Sequence, residues 1–164
     1  MPDAEARPGK AGRSLSPAFL IRGATEEDAE ALGRLSVTQG YGTEQEAAPD
    51  RLRAILASDS NLVVVAADPT GRVVGWLQAQ AVCRLHTGSK VEITGLLVDP
   101  EVRRHGVGRR LVAEAERWAR GRSVEGMVVR SNVARVDSHR FYPALGFDLS
   151  KTQAVYQKDL RGRA

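Results

Sequence analysis

Cysteine is almost absent from this chain, since Cys83 is the only one among 164 residues. An internal disulfide needs two cysteines and is therefore excluded, and a single thiol is typical of proteins from a reducing compartment. No apolar run approaches the roughly 20 residues that a membrane-spanning helix needs, and the amino-terminal residues lack the apolar core of a signal peptide. The sequence therefore predicts a soluble, cytoplasmic protein with no membrane partner.

Aromatic residues and histidines are also scarce, at 5% of the chain and three residues respectively. Few aromatic side chains leave few platforms on which nucleic-acid bases can stack, and no metal-ligand spacing is present. The net charge of +4 rests on arginine, because only four of the 24 basic residues are lysines. We therefore expect neither a bound metal nor a nucleic-acid partner.

The length of the chain predicts one domain, because 17.7 kDa suffices to bury a core without disulfides. Residues 1–17 are rich in Ala, Gly, Pro, Arg and Ser without periodicity, which predicts a disordered tail before a single domain of residues 18–164. Periodicity, caps and turn residues predict the order βααβββαβαββ. The predicted strands are 19–22, 61–68, 73–85, 91–98, 127–131, 147–149 and 154–158, and the predicted helices are 26–38, 50–57, 106–120 and 137–145.

The most informative segment is an apolar strand followed by a glycine-containing turn and an amphipathic helix. The turn reads Arg103-Arg104-His105-Gly106-Val107-Gly108. Two glycines at the start of a helix let the backbone approach a ligand, and the free N–H groups of the first turn attract an anion. No Gly-Lys-Ser/Thr follows and Leu111 occupies the third glycine position of a dinucleotide fingerprint, so neither a P-loop nor a Rossmann site is predicted.

The pattern Arg103-x-x-Gly106-x-Gly108 resembles the coenzyme A signature of the GNAT superfamily of N-acetyltransferases. The segment from His139 to Phe147, which reads His-Arg-Phe-Tyr-Pro-Ala-Leu-Gly-Phe, is similar to the second diagnostic GNAT segment. The resemblance implies an α/β (α+β) fold: a mixed, splayed central sheet of about six to seven strands flanked by about four helices. It also implies acetyl-CoA as the co-substrate, with its pantetheine arm inserted where the sheet splays.

The residues that the resemblance implies for acetyl-CoA form three groups. Strand backbone would polarise the thioester carbonyl and hold the pantetheine arm, the start of the helix would hold the pyrophosphate, and two residues of the second segment would line the cofactor. They are Leu96, Leu97 and Val98; Arg103, Arg104, His105, Gly106, Val107, Gly108 and Arg109; and Asn132 and Ser138. The chain departs from the common pattern at Arg135, where the family often has Asn. Either Arg135 or Asn132 could contact the cofactor, and Arg135 could equally shape the substrate side.

Two residues are candidates for proton transfer. A phenol, with a pKa near ~10, can donate to a leaving thiolate whose thiol resembles cysteine at ~8.5, and Tyr142 stands where GNAT enzymes usually have this general acid. Glu92 interrupts an apolar strand and precedes Arg103 by 11 residues, as the general base does in GNAT members that use one. We expect Glu92 to act through water; a carboxylate paired with an arginine, with no protein base, is the alternative.

Gly95, in the middle of the same strand, predicts a bulge, a close approach of another chain, or relief of crowding in the packing.

The acceptor is expected to be a small-molecule or peptide amine. In GNAT proteins the loop between the first two helices usually forms one wall of the acceptor site, and here it carries Tyr41, Glu44, Glu46 and Asp50. An acidic wall would attract a cationic amine, whereas a plain polar surface loop is the alternative. An acetyl-CoA-dependent N-acetyltransferase is thus the leading prediction. A catalytically silent acyl-CoA sensor and a basic nucleic-acid-binding protein are the alternatives, and a homodimer is left open.

Overall fold

The computed structural model describes residues 18–40 and 47–160, and it places five strands in one sheet in the order β1-β2-β3-β4-β5. The strands are Leu20–Gly23 (β1), Asn61–Ala67 (β2), Val73–Arg84 (β3), Gly88–Val98 (β4) and Met127–Val129 (β5). The helices are Ala29–Thr38 (α1), Ala48–Leu56 (α2), Val107–Arg120 (α3) and Ser138–Phe141 (α4). The chain forms two compact units that divide after Arg130.

The predicted mixed α/β fold is confirmed, because β1 to β4 pair antiparallel while β4 and β5 pair parallel. The strand count is five, and the two closing strands predicted at 147–149 and 154–158 are wrong. Residues 148–160 form neither helix nor strand, and Leu149, Val155 and Tyr156 are exposed. Polar residues predominate in this segment, so that it has little apolar surface to bury against a neighbour.

Two predicted helix starts also differ from the structure. Asp50 does not cap α2, because the helix begins at Ala48 and Asp50 lies in its first turn, after Pro49. Proline fits the first turn because its missing N–H is not needed there. The predicted helix over 137–145 is a single turn, α4, followed by a 3-10 turn at Pro143–Leu145, because Pro143 cannot continue the α-helical hydrogen bonds.

The core of the first unit lies on both faces of the sheet. On one face α3 packs against β3, where Leu77 and the helix residues Val107 and Leu111 are fully buried. On the other face α1 and α2 bury Leu32, Leu35 and Leu52 against Val63 and Val65 of β2. Central strands covered on both faces account for the near-continuous apolar run in β2.

A buried carboxylate ties β1 to the turn before α1. Asp28 accepts hydrogen bonds from both guanidinium nitrogens of Arg22 at 2.7 Å and from the Thr25 backbone N–H at 2.8 Å. Asp28 is 5% exposed. The hydrogen bonds from Arg22, followed by that from Thr25, outweigh burial and lower the pKa of Asp28 below its ordinary value.

We expect Asp28→Asn to destabilise the fold by about 1–3 kcal/mol at neutral pH, because it removes the charged partner of Arg22. A carboxyl whose folded-state pKa is depressed stabilises the fold above its unfolded pKa, near ~3.9, and this contribution disappears as the pH falls through the folded-state value. Urea unfolding of the two proteins should therefore give stabilities that converge below about pH 4. Asp50→Asn, at an exposed position on α2, is the control and should change little. A pH-independent difference would contradict the assignment.

Candidate active site

The pairing between β4 and β5, the two strands that α3 connects, is short. Residues 91–93 of β4 pair with residues 127–129 of β5, and this pairing covers the whole of β5. From Thr94 to Val98, β4 has no strand beside it on that side within the described part of the chain. On that side the backbone of Leu96, Leu97 and Val98 therefore has no strand partner within the described residues, and an extended ligand could pair with its polar groups.

Gly95 lies at a bulge and under an aromatic ring. Gln78 of β3 stands opposite Gly95 and Ala79 stands opposite Ile93, so that Thr94 is the extra residue of β4. A Cβ added to Gly95 would lie 2.6 Å from the Trp76 ring. The bulge expected from the sequence is present, and the group that approaches Gly95 is a side chain of the neighbouring strand.

The turn before α3 has the backbone of an anion cradle. Arg104 and Gly106 both have left-handed conformations, with φ of 66° and 79°. Nothing lies within 4 Å of a Cβ added to Gly106, so a side chain there would enter open space. The N–H groups of Val107 and Gly108 donate to no backbone carbonyl among the residues described. These donors lie at the positive end of the α3 dipole.

The side chains of the same turn are not equivalent. Arg103 donates to Gln39 Oε1 at 2.6 Å, whereas Arg104 is exposed and has no ion-pair partner within residues 18–40 and 47–160. His105 Nδ1 lies 3.0 Å from the Arg103 carbonyl oxygen, which makes that nitrogen a donor to the turn. The side chain of Val107 is buried, so this residue offers a ligand only its backbone.

Glu92 is buried on β4 and carries two ion pairs. It is 9% exposed. Its Oε2 accepts from Arg84 Nη2 at 2.5 Å, and its Oε1 is paired with Arg130 Nη1. Both oxygens of this carboxylate are thus engaged by guanidinium groups, the pairing that a buried charge requires.

The second unit holds Tyr142 between two aromatic rings. The Tyr142 ring centroid is 5.1 Å from that of Phe141 and 5.7 Å from that of Phe147, both edge-on. The backbone N–H of Tyr142 donates to the Ser138 carbonyl, which places the two residues one helical turn apart. Asn132 uses its side-chain oxygen in a local turn, where it accepts from the Ala134 N–H at 2.9 Å.

No pattern in the sequence indicates a role for Arg84 or Arg130. Arg84 is the last residue of β3 and lies four residues after Gln80, which stands opposite Glu92. Arg130 follows β5 and lies two residues after Val128, which stands beside Glu92 on the other side. Alternation along each strand gives the face of every side chain, but only the register brings these three charges together.

The described residues contain no helix long and apolar enough to cross a membrane. Within the same residues, no group of three or more His, Cys, Asp and Glu side chains could hold a metal ion.

A sequence profile of the acetyltransferase (GNAT) family matches residues 27–147, and the chain belongs to this family of acetyl-transferring enzymes.

An aminoglycoside N(6')-acetyltransferase type 1 from Stenotrophomonas maltophilia is 26% identical over 154 residues, which cover 92% of this chain and 99% of that protein. An aminoalkylphosphonate N-acetyltransferase from Salmonella typhimurium is 36% identical over 81 residues, 49% of this chain and 53% of that protein. The solved structure of the aminoglycoside N-acetyltransferase AAC(6')-Iy in complex with CoA superposes with a TM-score of 0.79 at 21% identity. That match covers 89% of this chain and 98% of the other. The shared fold is that of GNAT structures.

Proposed function

We propose that this protein transfers an acetyl group from acetyl-CoA directly to a primary amine within a ternary complex. The observation that carries the proposal is the cradle at the start of α3, where left-handed Gly106 opens onto free space and the first N–H groups of the helix have no backbone partner. Family membership and a CoA complex among the similar structures support it.

The cradle and β4 would hold the co-substrate in two ways. The N–H groups of Val107 and Gly108, with the exposed charge of Arg104, suit the pyrophosphate. The backbone of Leu96 to Val98 would hold the pantetheine arm and donate an N–H to the thioester carbonyl, where negative charge develops. The remaining contacts that we assign to the co-substrate are Arg103, His105, Gly106, Arg109, Asn132 and Ser138. Acetyl-CoA supplies the activated acetyl group.

The reaction forms a C–N bond and breaks a C–S bond, so one proton leaves the amine and one reaches the thiolate. We assign the donor for the thiolate to the Tyr142 hydroxyl. In our proposal Glu92 takes the proton from the amine through a water molecule. Its burial on β4 supports this role, while its pairing with Arg84 and Arg130 favours the ionised form that a base requires.

We expect Glu92→Gln to lower kcat/KM at every pH, because the group that takes the proton from the amine is then absent. The fall in the maximal rate should be about tenfold, below the 10²- to 10⁴-fold range of direct proton transfer, since water intervenes. pH–rate profiles of the two proteins provide the measurement, with Glu101→Gln, at an exposed carboxylate outside β4, as the control. A maximal rate equal to that of the wild type would assign proton removal to water alone.

The acceptor is a primary amine in this proposal. The relatives act, by name, on aminoglycosides and on aminoalkylphosphonates, two amines of opposite charge character. Of the loop residues expected to form the acceptor wall, Tyr41, Glu44 and Glu46 lie outside the described residues, and Asp50 is exposed and paired with Arg53. The cytoplasm, where acetyl-CoA and a free thiol at Cys83 are both maintained, is the compartment that we assign.

Calorimetry with acetyl-CoA, together with thiol release over a panel of amines, tests the proposed function. We expect binding and amine-dependent thiol release. Binding without release on any amine would indicate an acyl-CoA sensor. If acetyl-CoA does not bind, the acetyltransferase proposal fails. Affinity for nucleic acid that decreases steeply with salt would then indicate a basic nucleic-acid-binding protein.

A further inference from the structure

The cluster formed by Arg84, Glu92 and Arg130 lies on the sheet face that α1 and α2 cover. Glu92 stands opposite Gln80 of β3, and alternate residues of a strand share a face. Trp76, four residues before Gln80 on that face, packs against the α1–α2 core. The cluster therefore lies on the same face of the sheet as Trp76, farther along the strands than the region that α1 and α2 bury. We call Arg84 and Arg130 the arginine pair.

Among the residues that the structure describes, cations outnumber carboxylates on this part of the face. The cations are the arginine pair and Lys90, which stands two residues before Glu92. The carboxylates are Glu92 itself and Glu125, whose side chain lies against Gly88 at the start of β4. The arginine side chains are 31% and 52% exposed, so the excess positive charge is accessible to a ligand.

The arginine pair also has donors to offer. A guanidinium carries five N–H donors, and each member of the pair makes one ion pair with Glu92. Within the described residues neither Arg84 nor Arg130 has another side-chain partner. Two planar forks held side by side by one carboxylate match the oxygens of a carboxylate, phosphate or phosphonate.

We infer that the arginine pair binds an anionic group of the acceptor, so that the acceptor is an amine that also carries an acidic group. This inference rests on the proposed function, because it assigns the acceptor of the same site. The positive excess attracts an anion and repels a polycation. Glu92 pairs with both guanidinium groups and keeps them on the sheet face that α1 and α2 cover.

Matched pairs of amines test the inference, because they differ only in the acidic group. The pairs are β-alanine with β-alaninamide, and (2-aminoethyl)phosphonate with its dimethyl ester; an aminoglycoside represents the polycations. We expect the acidic member of at least one pair to have a kcat/KM at least about tenfold above its neutral partner, as one charge-assisted contact provides. The pair that shows the larger ratio distinguishes a carboxylate from a phosphonate acceptor.

Arg130→Gln should reduce that ratio to near one. Arg120→Gln is the matched control, since it removes the same charge from the last turn of α3, where Arg120 is exposed and pairs with Glu116. Melting temperature and acetyl-CoA affinity show whether each variant is folded. Equal or better transfer to the neutral amines or to the aminoglycoside would overturn the inference and leave the acetyltransferase proposal intact.

A binding measurement separates the two proposals if no amine is acetylated. Calorimetry would titrate (2-aminoethyl)phosphonate into the protein saturated with CoA, so that the cradle at α3 is already filled. Binding that Arg130→Gln weakens at least tenfold, and Arg120→Gln does not, supports an anion site at the arginine pair even where the proposed function fails. Binding that is absent or indifferent to Arg130 overturns it.

Discussion

Tyr142→Phe should lower kcat by about 10²- to 10⁴-fold while acetyl-CoA binding and folding stay as in the wild type. The substitution removes only the hydroxyl, and the ring keeps its edge-on contacts with Phe141 and Phe147. Without that donor the thiolate must leave unprotonated or take a proton from water. The measurement is thiol release at saturating acetyl-CoA with the best amine of the panel.

Tyr156→Phe is the matched control for this prediction. Tyr156 belongs to the same unit and is 93% exposed. Tyr156→Phe also removes a hydroxyl oxygen, but it lies outside the segment from His139 to Phe147, so kcat should not change. A Tyr142→Phe enzyme that retains wild-type kcat would contradict the assignment of the general acid.

Gly106→Ala should weaken acetyl-CoA binding by about 10- to 100-fold, the loss expected when charge-assisted hydrogen bonds to the pyrophosphate are displaced. Gly106 has a φ of 79°, and a Cβ there would enter the open space in front of the α3 donors. Calorimetry with acetyl-CoA measures the effect. The left-handed backbone adds a stability loss of about 1 kcal/mol.

Gly71→Ala separates these two effects. Gly71 has a φ of 88° in the turn between β2 and β3, and nothing lies within 4 Å of an added Cβ. It should therefore show the same loss of stability with unchanged acetyl-CoA affinity. If both variants bind acetyl-CoA equally well, the start of α3 is not the cofactor site.

Local features of the sequence were sufficient to predict α3 and its cradle. A glycine at a left-handed position, an apolar strand before it and an amphipathic helix after it each depend on residues within one or two turns of the chain. The same reasoning placed β2, β3 and β4, where apolar side chains must be buried whatever their partners are. It was wrong for the closing strands, because a strand exists only when another strand supplies its hydrogen bonds, and alternation in the sequence cannot show that partner.

The sequence by itself determined the family, the cofactor motif and most elements, since these follow from short-range patterns of glycine, charge and apolar residues. Only the tertiary structure decided that Glu92 lies between Arg84 and Arg130, from three different parts of the chain. It also placed Trp76 over Gly95. Both contacts depend on the register between strands, and shifting a strand by one residue would move every side chain to the opposite face.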